Sequence, residues 1–475
     1  MSLTVFICCV ALLAAVWASR SKRRLSYPPG PLADLFFGHL RIIPTHNQAE
    51  IFHQWSQTYG EVMHLKVFNR NIIVLDTFEA AQDLLENRSA NYSCRPNFVV
   101  WDMMGWRPNV SFTQYGKEFL KHRRVLQRFF GRKEILTFEA VVAEEARLLV
   151  ENLLHAGPGE HLQLVHRFTI SNILRVTFGK QIKADDDPFM KLAQDLSRVI
   201  NNSGPIGNTP VDMFPWLRHF PSWFPGRYYG NMALAGHKTV RRLHDYPVDF
   251  VREQMRKQNV QRSFVSETLS DLGGDFDLED IKGASAAIFS AGEDTTYATL
   301  VVFLLNMIVH PKYQERAYQE IVSVIGEGRL PESSDRQSLP FVECILQETL
   351  RWHPVTPLGI PHRSLEDDMY KDMFIPKGSI IVPNVHGMSL DKRVYSEPER
   401  FDPTRFLPTP DGRGEPYFPA SWGFGRRICP GRHFANMSLW HAMACILATL
   451  EICPEKDVHG FPMMPEIRFT EGLVW

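Results

Sequence analysis

The stretch SWGFGRRICPGRHFA, residues 421–435, places Cys429 between Gly425 and Gly431 and directly behind two arginines and an isoleucine. Three interpretations compete: a buried structural cysteine, which is a common role of a free cysteine, one half of a disulfide, or a thiolate that binds a metal. Pro430 is of the residue type favoured at the first position of a helix, and apolar residues recur after it at helical spacing. We therefore expect Cys429 at a helix N-terminus, where orphan N–H groups and the helix dipole favour a thiolate. This context favours the metal-binding interpretation.

The composition limits the class of protein. The 475 residues carry a formal net charge of -1, without the basic excess of a nucleic-acid-binding domain, so we expect no nucleic acid among the partners. Seven scattered cysteines without a C-x-x-C pair argue against a zinc ribbon or finger and for a reducing compartment. Cys429 and His433, four residues apart, remain a weaker metal-binding alternative that lacks two further nearby ligands. No Gly-rich nucleotide motif is present, so a redox enzyme of this sequence would receive its electrons from another protein.

The N-terminus carries a short apolar run. Residues 3–18 are uncharged and span about 24 Å as a helix, close to the thickness of the endoplasmic reticulum bilayer. Basic residues follow the run, whereas those of a cleaved signal peptide precede it, so an anchor is the favoured interpretation. The positive-inside rule then leaves the remaining chain in the cytosol. The sequence predicts a membrane anchor with a basic flank in residues 1–26, a globular domain in residues 27–475, and a single-pass endoplasmic reticulum location.

Most of the chain has the pattern of helices, and one of them is unusually long. We expect it from Leu278 to about Val309, ended by a His-Pro pair. Its centre, FSAGEDTTYA at residues 289–298, contains Gly292, which costs about 1 kcal/mol in a helix relative to alanine. Asp294 and Thr295 add polar groups to an otherwise apolar helix. Such a local conflict indicates a functional site rather than a solvated face.

A second motif lies in QETLRWHPVTPLGIPHR, residues 347–363, where Glu348 and Arg351 share one helical face. A surface ion pair would contribute little stability. The apolar FVECIL before it predicts that the pair is buried, and a buried pair needs further partners. Arg400 and Arg405, in SEPERFDPTRF, are the candidates.

The stretch PVDMFPWLRHFPSWFPG, residues 210–226, is dense in proline and aromatic residues and cannot form one continuous helix. Its rings belong either to the core or to an exposed patch that rests on a membrane. The composition favours neither alternative.

Taken together, these motifs resemble the cytochrome P-450 family of haem-thiolate monooxygenases, in the style of membrane-bound eukaryotic, fungal-like members, from the anchor to near the C-terminus. The family's F-x-x-G-x-R-x-C-x-G motif corresponds to Trp422, Gly425, Arg427, Cys429 and Gly431, with tryptophan in place of phenylalanine. The long-helix motif A/G-G-x-D/E-T-T/S corresponds to residues 291–296, and E-x-x-R to Glu348 and Arg351. For the family's P-x-R-F motif, residues 403–406 with Arg405 fit better than residues 398–401 with Arg400, because a Pro-Glu-x-Phe element commonly precedes the true motif.

The resemblance implies a mainly α-helical fold with small β-sheets, a triangular-prism haem domain that follows one N-terminal transmembrane helix. It implies haem b with Cys429 as the axial thiolate, and a loop around the sulfur shaped by Gly425 and Gly431. Arg123, His362 and Arg427 would anchor the haem propionates. Gly292 would open the long helix for dioxygen, and Asp294 and Thr295 would manage protons.

The implied partners are O2, a small apolar substrate, a membrane, an NADPH-cytochrome reductase and cytochrome b5, in a role typical of secondary metabolism. A basic surface would receive the acidic reductase; it comprises Lys117, Lys121, Arg124, Arg128, Arg132 and Lys133. The substrate pocket would be capped by Val99, Met103, Met104, Trp106 and Phe112 and lined by residues 355–360. Two other functions remain open: a haem-thiolate isomerase or dehydratase without external electrons, and a non-catalytic haem sensor. The intact pair of Asp294 and Thr295 argues against both.

The sequence departs from the family pattern at two further places. The family's W-x-x-x-R motif has Phe119 and Arg123 here, so an indole N–H to a propionate is lost while the arginine remains. The printed sequence ends at FTEGLVW, residues 469–475, where family members usually continue with a short final strand. We therefore expect either that the sequence is truncated at this end or that the last sheet is incomplete.

Overall fold

Helices dominate the computed structural model, which describes residues 26–469 apart from 158, 183, 185, 205–208 and 272–275. The predicted anchor therefore lies almost entirely outside the described residues, as do residues 470–475. The α-helices are α1 Gln48–Tyr59, α2 Phe78–Gln82, α3 Ser89–Tyr92, α4 Val99–Met103, α5 Lys117–Phe129, α6 Arg132–Ile135, α7 Glu139–Leu154, α8 His161–Phe178, α9 Pro188–Asn201, α10 Pro210–Met213, α11 Tyr228–Arg256, α12 Phe264–Ser270, α13 Leu278–Val309, α14 Pro311–Ile325, α15 Pro340–Trp352, α16 Val385–Ser389 and α17 Arg432–Thr449.

Three small sheets complete the described fold. The strands are β1 Val62–Val67, β2 Arg70–Leu75, β3 His362–Arg363, β4 Asp368–Tyr370, β5 Met373–Ile375, β6 Ile380–Pro383, β7 Glu455–Lys456 and β8 Pro462–Met463. The largest sheet has the order β1-β2-β6-β3, in which β2 and β6 run parallel with Ile72 opposite Ile380. β4–β5 and β7–β8 are two-stranded antiparallel pairs. This mainly helical fold with small sheets is the predicted fold class.

Helix α13 is the centre of the domain and has the predicted bounds. Asp277 caps its first turn in a reciprocal box with Asp280, and His310 ends it before the proline that begins α14. It packs along α8 on one side and against α11, α15 and α17 elsewhere. Seventeen of its side chains are buried, including most of the first three turns. Because the helix lies in the centre of the domain, polar side chains in it are exceptional.

Among the described residues, α13 is the one helix long and apolar enough to cross a membrane. Its packing on four other helices accounts for that apolar character, because a helix that is hydrophobic all round is typical of a protein core. The helix is therefore weak support for a membrane location.

The segment 210–226 is broken, as predicted, into α10 and a 3₁₀ turn, Pro215–His219. Leu217 is buried, and Phe214 packs partly against the core. Trp216 and Trp223 are 53% and 78% exposed. The segment thus divides between the core and an exposed patch, because its aliphatic side points inward while its indoles face solvent.

Candidate functional site

The loop that carries Cys429 is held by short-range backbone bonds. The backbone N–H of Cys429 donates to the carbonyl of Trp422 at 2.7 Å and closes the loop over two 3₁₀ turns. Gly425 has φ 51°, and a Cβ there would lie 2.2 Å from the carbonyl oxygen of Leu85, so a side chain is excluded on both grounds. A Cβ at Gly431 would stand 3.9 Å from the Cys429 sulfur. The structure therefore requires glycine at position 425, whereas at position 431 a Cβ would make only an ordinary van der Waals contact with the thiol.

The helix after this loop begins later than the sequence predicts. Pro430 lies in a turn, Gly431 is the cap, and α17 begins at Arg432. The prediction of Pro430 as the first helical residue was wrong, because the loop needs two further residues to direct the backbone N–H groups of Gly431 and Arg432 at the sulfur. The expected relation between the sulfur and the helix N-terminus is kept.

Opposing influences act on the Cys429 thiol. Burial raises its pKa, whereas the N–H of Gly431 and the positive charges of Arg123 and Arg432 favour the thiolate. A bound metal cation would compensate the negative charge of a thiolate at this place, because a cation deprotonates a thiol that coordinates it. The disulfide interpretation does not apply to the described residues, where Cys429 is free.

Among the described residues, Cys429 and His433 have no further side chains that would complete a metal site. The one cluster there of three side chains that could hold a metal ion comprises His166, Glu293 and Asp294. The donor set at Cys429 therefore fits a metal that brings most of its own ligands, as the iron of a haem does.

Three buried arginines lie close to one another near this loop. Burial lowers the pKa of Arg95, Arg123 and Arg427. Repulsion by Arg427 lowers the pKa of Arg95 further, and repulsion by Arg123 does the same for Arg427. No carboxylate of a described residue forms a salt bridge with any of the three. Buried charges without counter-ions are costly. An anionic ligand such as a haem propionate would supply the missing charge.

The three arginines differ in their free donors. Nε and Nη2 of Arg123 are buried without a hydrogen-bond partner. Arg427 instead donates to the backbone carbonyls of Ser93, Val110 and Thr113 at 2.7–2.9 Å and stacks over Phe119 at 3.7 Å. Arg123 is therefore the best placed of the predicted propionate anchors. Arg427 has a structural role as well, because its bonds to three carbonyls hold the surrounding backbone in place. Phe119, the residue in the usual tryptophan position, supports Arg427 through its ring.

His362 lies on β3, fully buried, with Nδ1 at 2.8 Å from the carbonyl oxygen of Tyr92. Burial and the charge of Arg95 hold the pKa of His362 well below its usual range, so the ring is neutral. Because a carbonyl only accepts, Nδ1 carries the proton and Nε2 has none to donate. The ring would need a second proton to donate to a propionate.

Arg95 is a site residue that the sequence analysis missed. It is buried and donates to the carbonyls of Ser111, Ile360 and Pro361 at 2.5–3.0 Å. The available signal was an arginine directly before a proline in the apolar segment CRPNFVV. Arg95 ties the segment before α4 to the strand that carries His362.

The centre of α13 places polar groups on two different faces. Ala291 is exposed in the middle of this largely buried helix, so its face borders a cavity, and the Thr295 hydroxyl donates to the Ala291 carbonyl at 2.8 Å. Asp294 accepts from the Ser197 hydroxyl at 3.4 Å, and burial raises its pKa. The acid and the alcohol are thus adjacent along the helix, and the alcohol lies on the side of the exposed Ala291.

Gly292 faces away from that cavity. A Cβ at this position would lie 2.7 Å from Cδ1 of Ile173 on α8. The glycine therefore permits the close approach of α8 to α13, which is a packing reason that the sequence analysis did not anticipate.

Glu348, Arg351 and Arg405 form one fully buried network. Arg351 donates to both carboxylate oxygens of Glu348 at 2.7 and 2.8 Å, and Nε of Arg405 donates to Oε1 at 3.0 Å. Arg405 also contacts Glu415 at 2.6 Å. The side chain of Arg400 is 54% exposed and only its carbonyl joins the network. Geometry thus distinguishes the two arginines in the order that the motif spacing predicts.

The segment expected to cap the substrate pocket is apolar and largely buried. Met104 and Trp106 are 0% and 1% exposed, and Phe112 packs against Trp101 with the rings tilted and their centroids 4.3 Å apart. Ile360, from the predicted lining segment, packs against the same cluster of side chains.

Comparison with known proteins identifies the family. The Cytochrome P-450 family profile matches residues 28–470. Cytochrome P-450 monooxygenase 136 of Postia placenta is 35% identical over 488 residues, which cover 100% of this chain and 91% of the relative. Cytochrome P-450 monooxygenase claR of Ampulloclitocybe clavipes is 34% identical over 95% of this chain and 85% of its own length. A cytochrome P-450 monooxygenase of Armillaria gallica is 30% identical over 98% of this chain and 93% of its own. With its cysteine loop, its buried Glu–Arg network and these relatives, the chain belongs to the cytochrome P-450 family of monooxygenases.

Proposed function

We propose that this protein inserts one oxygen atom of O2 into a small apolar substrate, with electrons from a separate NADPH-dependent reductase. The observation that carries the proposal is the pair of Asp294 and Thr295 beside a cavity at the centre of an apolar helix. The family implies a haem-thiolate cofactor, and we assign haem b with Cys429 as its axial ligand. When bound, the thiolate-ligated iron activates dioxygen, because the thiolate pushes electron density that favours O–O cleavage.

The side chains around the haem have separate roles in this proposal. Arg123 would hold a propionate through its two unpartnered nitrogens, and Arg95 and Arg427 would add positive charge nearby. The Thr295 hydroxyl holds a proton at the cavity face, and Asp294 replaces the proton that Thr295 gives up. The raised pKa of Asp294 suits this task, because a carboxyl that keeps a proton nearer neutral pH is a better general acid there.

An apolar substrate is supported by the lining of the predicted cap. Its side chains are apolar or aromatic, and Met103 is a flexible residue that adapts to irregular shapes. Binding there would gain free energy mainly from apolar burial, and polar groups would fix orientation.

The reductase contact is proposed for the surface around α5 and α6. Lys117, Arg124, Arg128, Arg132 and Lys133 are exposed and accessible to an acidic partner. Lys121 differs from the expectation, because its ammonium pairs with Asp280 at the start of α13. Charge on this surface would steer the encounter and make its rate depend on salt. Cytochrome b5 would use the same kind of surface.

A membrane location is supported by a continuous aromatic surface. Ring contacts of 5.2–6.0 Å lead from Phe37 through Phe68 and Phe214 to Trp216. Several neighbouring side chains are exposed; they comprise Leu32, Leu35, Phe36 and Trp223. Aromatic rings with one wet edge suit the bilayer interface. We propose that this surface rests on the endoplasmic reticulum membrane beside the anchor in residues 1–26, with the catalytic domain of residues 27–475 in the cytosol.

The test is oxygen-isotope labelling. The protein is reconstituted with a fungal NADPH-cytochrome reductase and given an ethyl acetate extract of source cells that lack its gene, under ¹⁸O2. We expect NADPH-dependent products that carry one ¹⁸O atom. Products that form without NADPH and without ¹⁸O would support an isomerase or dehydratase instead. A protein that binds haem but converts nothing would support a sensor.

A further inference from the structure

Glu293 occupies a position in α13 that the proposed mechanism does not use. Its side chain is 1% exposed and points toward α8, away from the cavity bordered by Ala291. His166 of α8 contacts Oε1 of Glu293 through Nε2, and the ring of His166 packs on Tyr297 with centroids 4.8 Å apart. A buried carboxyl in the centre of the domain requires a reason, since burial of an acidic group is costly.

Glu293 also lies next to the proposed proton donor. Ligand atoms of His166, Glu293 and Asp294 all fall within 4.8 Å of one another. The side chain of His166 is 22% exposed, so the cluster extends from the surface of α8 to the centre of α13. Ser197 of α9 completes the surroundings through its bond to Asp294.

We infer that His166 and Glu293 form a proton relay that carries solvent protons to Asp294. Asp294 gives a proton toward the cavity and is left as a carboxylate; Glu293 reprotonates it; His166 reprotonates Glu293 and takes a proton from water. Each transfer moves one proton and no electrons, so the relay returns to its starting state. His166 and Glu293 act through Asp294 and are positioning residues. The inference rests on the proposed function, because it supplies the proton donor named there.

The alternative is a structural ion pair that joins α8 to α13. Such a pair is stable when all of its buried atoms have partners. Oε2 of Glu293, however, is buried without a hydrogen-bond partner among the described residues. By contrast, Glu145 and Arg175 join α7 to α8 at 2.9 Å without any link to the cavity, and they supply a matched structural control.

The charges of the three groups support proton exchange near neutral pH. Burial raises the pKa of Glu293 to about 7, against the opposing hydrogen bond from His166. Burial alone would lower the pKa of His166, but the hydrogen bond and charge of Glu293 outweigh it and raise the pKa. Burial raises the pKa of Asp294 as well, opposed by His166, Glu293 and Ser197. The pKa values of all three groups are therefore raised, and coupled groups at hydrogen-bonding distance exchange protons as a unit.

The first test needs no turnover. Infrared spectra of the haem-loaded wild type are recorded from pH 5 to 9, together with Glu293→Gln, His166→Gln and the control Glu145→Gln. We expect a protonated-carboxyl band that titrates near pH 7, is absent from Glu293→Gln and persists in Glu145→Gln. In His166→Gln the midpoint should move to higher pH, because the bond that lowers the pKa of Glu293 is gone. A carboxyl that stays ionised across this range, or an unmoved midpoint, would overturn the relay.

The second test is the pH profile of NADPH oxidation with the reductase present. Wild type and Glu145→Gln should slow as the pH rises through 7. Glu293→Gln should lose that inflection and react about tenfold more slowly, less than the loss expected for removal of a direct general acid. An unchanged profile in haem-loaded Glu293→Gln would refute the relay. Absence of NADPH oxidation in the wild type would refute the proposed function instead. If Glu293→Gln does not fold, the midpoint of the infrared titration of His166→Gln decides whether the relay stands.

Discussion

Replacement of Arg405 by leucine removes one member of a fully buried charge network. Arg405 donates to Glu348 at 3.0 Å, to Glu415 at 2.6 Å and to the backbone carbonyls of Ser396 and Arg400 at 2.9 and 3.0 Å. Leucine fills part of the volume but leaves Glu348 with Arg351 and the backbone N–H of Asp402, and each of the two carbonyls loses one of its two donors. Removal of one partner of a buried pair typically costs about 3–5 kcal/mol.

That cost is large relative to the stability of a domain, which is about 5–15 kcal/mol in total. With a urea dependence of about 3 kcal/mol per molar, the midpoint of unfolding should fall by about 1–1.7 M. Arg400→Leu is the matched control, because the Arg400 side chain is 54% exposed and lies 3.9 Å from Glu397. Such a surface pair contributes about 0–1 kcal/mol, so its midpoint should move by no more than about 0.3 M.

The assay is urea unfolding followed by circular dichroism and by haem absorbance, on both variants and the wild type. We expect Arg405→Leu to lose haem early and Arg400→Leu to resemble the wild type. Equal shifts in the two variants, or a larger shift in Arg400→Leu, would refute the assignment of Arg405 as the third member of the network.

Three further outcomes are expected. Thr295→Ala should retain haem but raise the peroxide released per NADPH consumed, and an unchanged ratio of product to NADPH would contradict the proton role of the hydroxyl. Arg123→Leu should lower haem retention yet stabilise the haem-free protein by about 1–3 kcal/mol, since two unpartnered buried nitrogens are removed. Calorimetry of the haem-bound and haem-free proteins measures the two opposite changes in stability, and destabilisation of both forms would contradict this prediction. Deletion of residues 2–26 should leave part of the protein on carbonate-washed membranes. Trp216→Ser and Trp223→Ser in the truncated chain should release that part, with haem content as the control for folding. Full solubility of the truncated chain would exclude this second membrane contact.

Local patterns predicted the elements that depend on neighbouring residues. The bounds of α13 followed from an apolar run ended by a His-Pro pair, and the break in residues 210–226 followed from its prolines. The choice of Arg405 over Arg400 followed from motif spacing. In the first two cases the deciding residues are neighbours in the chain, whereas Arg405 was chosen from the family motif, because its partner Glu348 is 57 residues away.

Features that depend on contacts between distant segments escaped the sequence analysis. The partner of Glu293 is 127 residues away, and nothing near His166 marks that ring as a carboxyl ligand. The tight approach of Ile173 to Gly292 and the backbone bonds of Arg95 likewise arise only when separate helices and loops meet. The helical spacing from Arg432 to Leu450 matches α17, but Pro430 was wrongly assigned to the first helical position, because proline also suits the turn before a helix.

The most direct test of the central assignment is the carbonyl complex of the reduced protein. With Cys429 as the axial thiolate, the wild type should give the red-shifted Soret band of a haem-thiolate protein, and both Cys429→Ala and Cys429→His should lose it. The control Cys445→Ala, on a buried cysteine of α17, should keep the band. Retention of the red-shifted band in either Cys429 variant would contradict the assignment of Cys429 as the haem ligand.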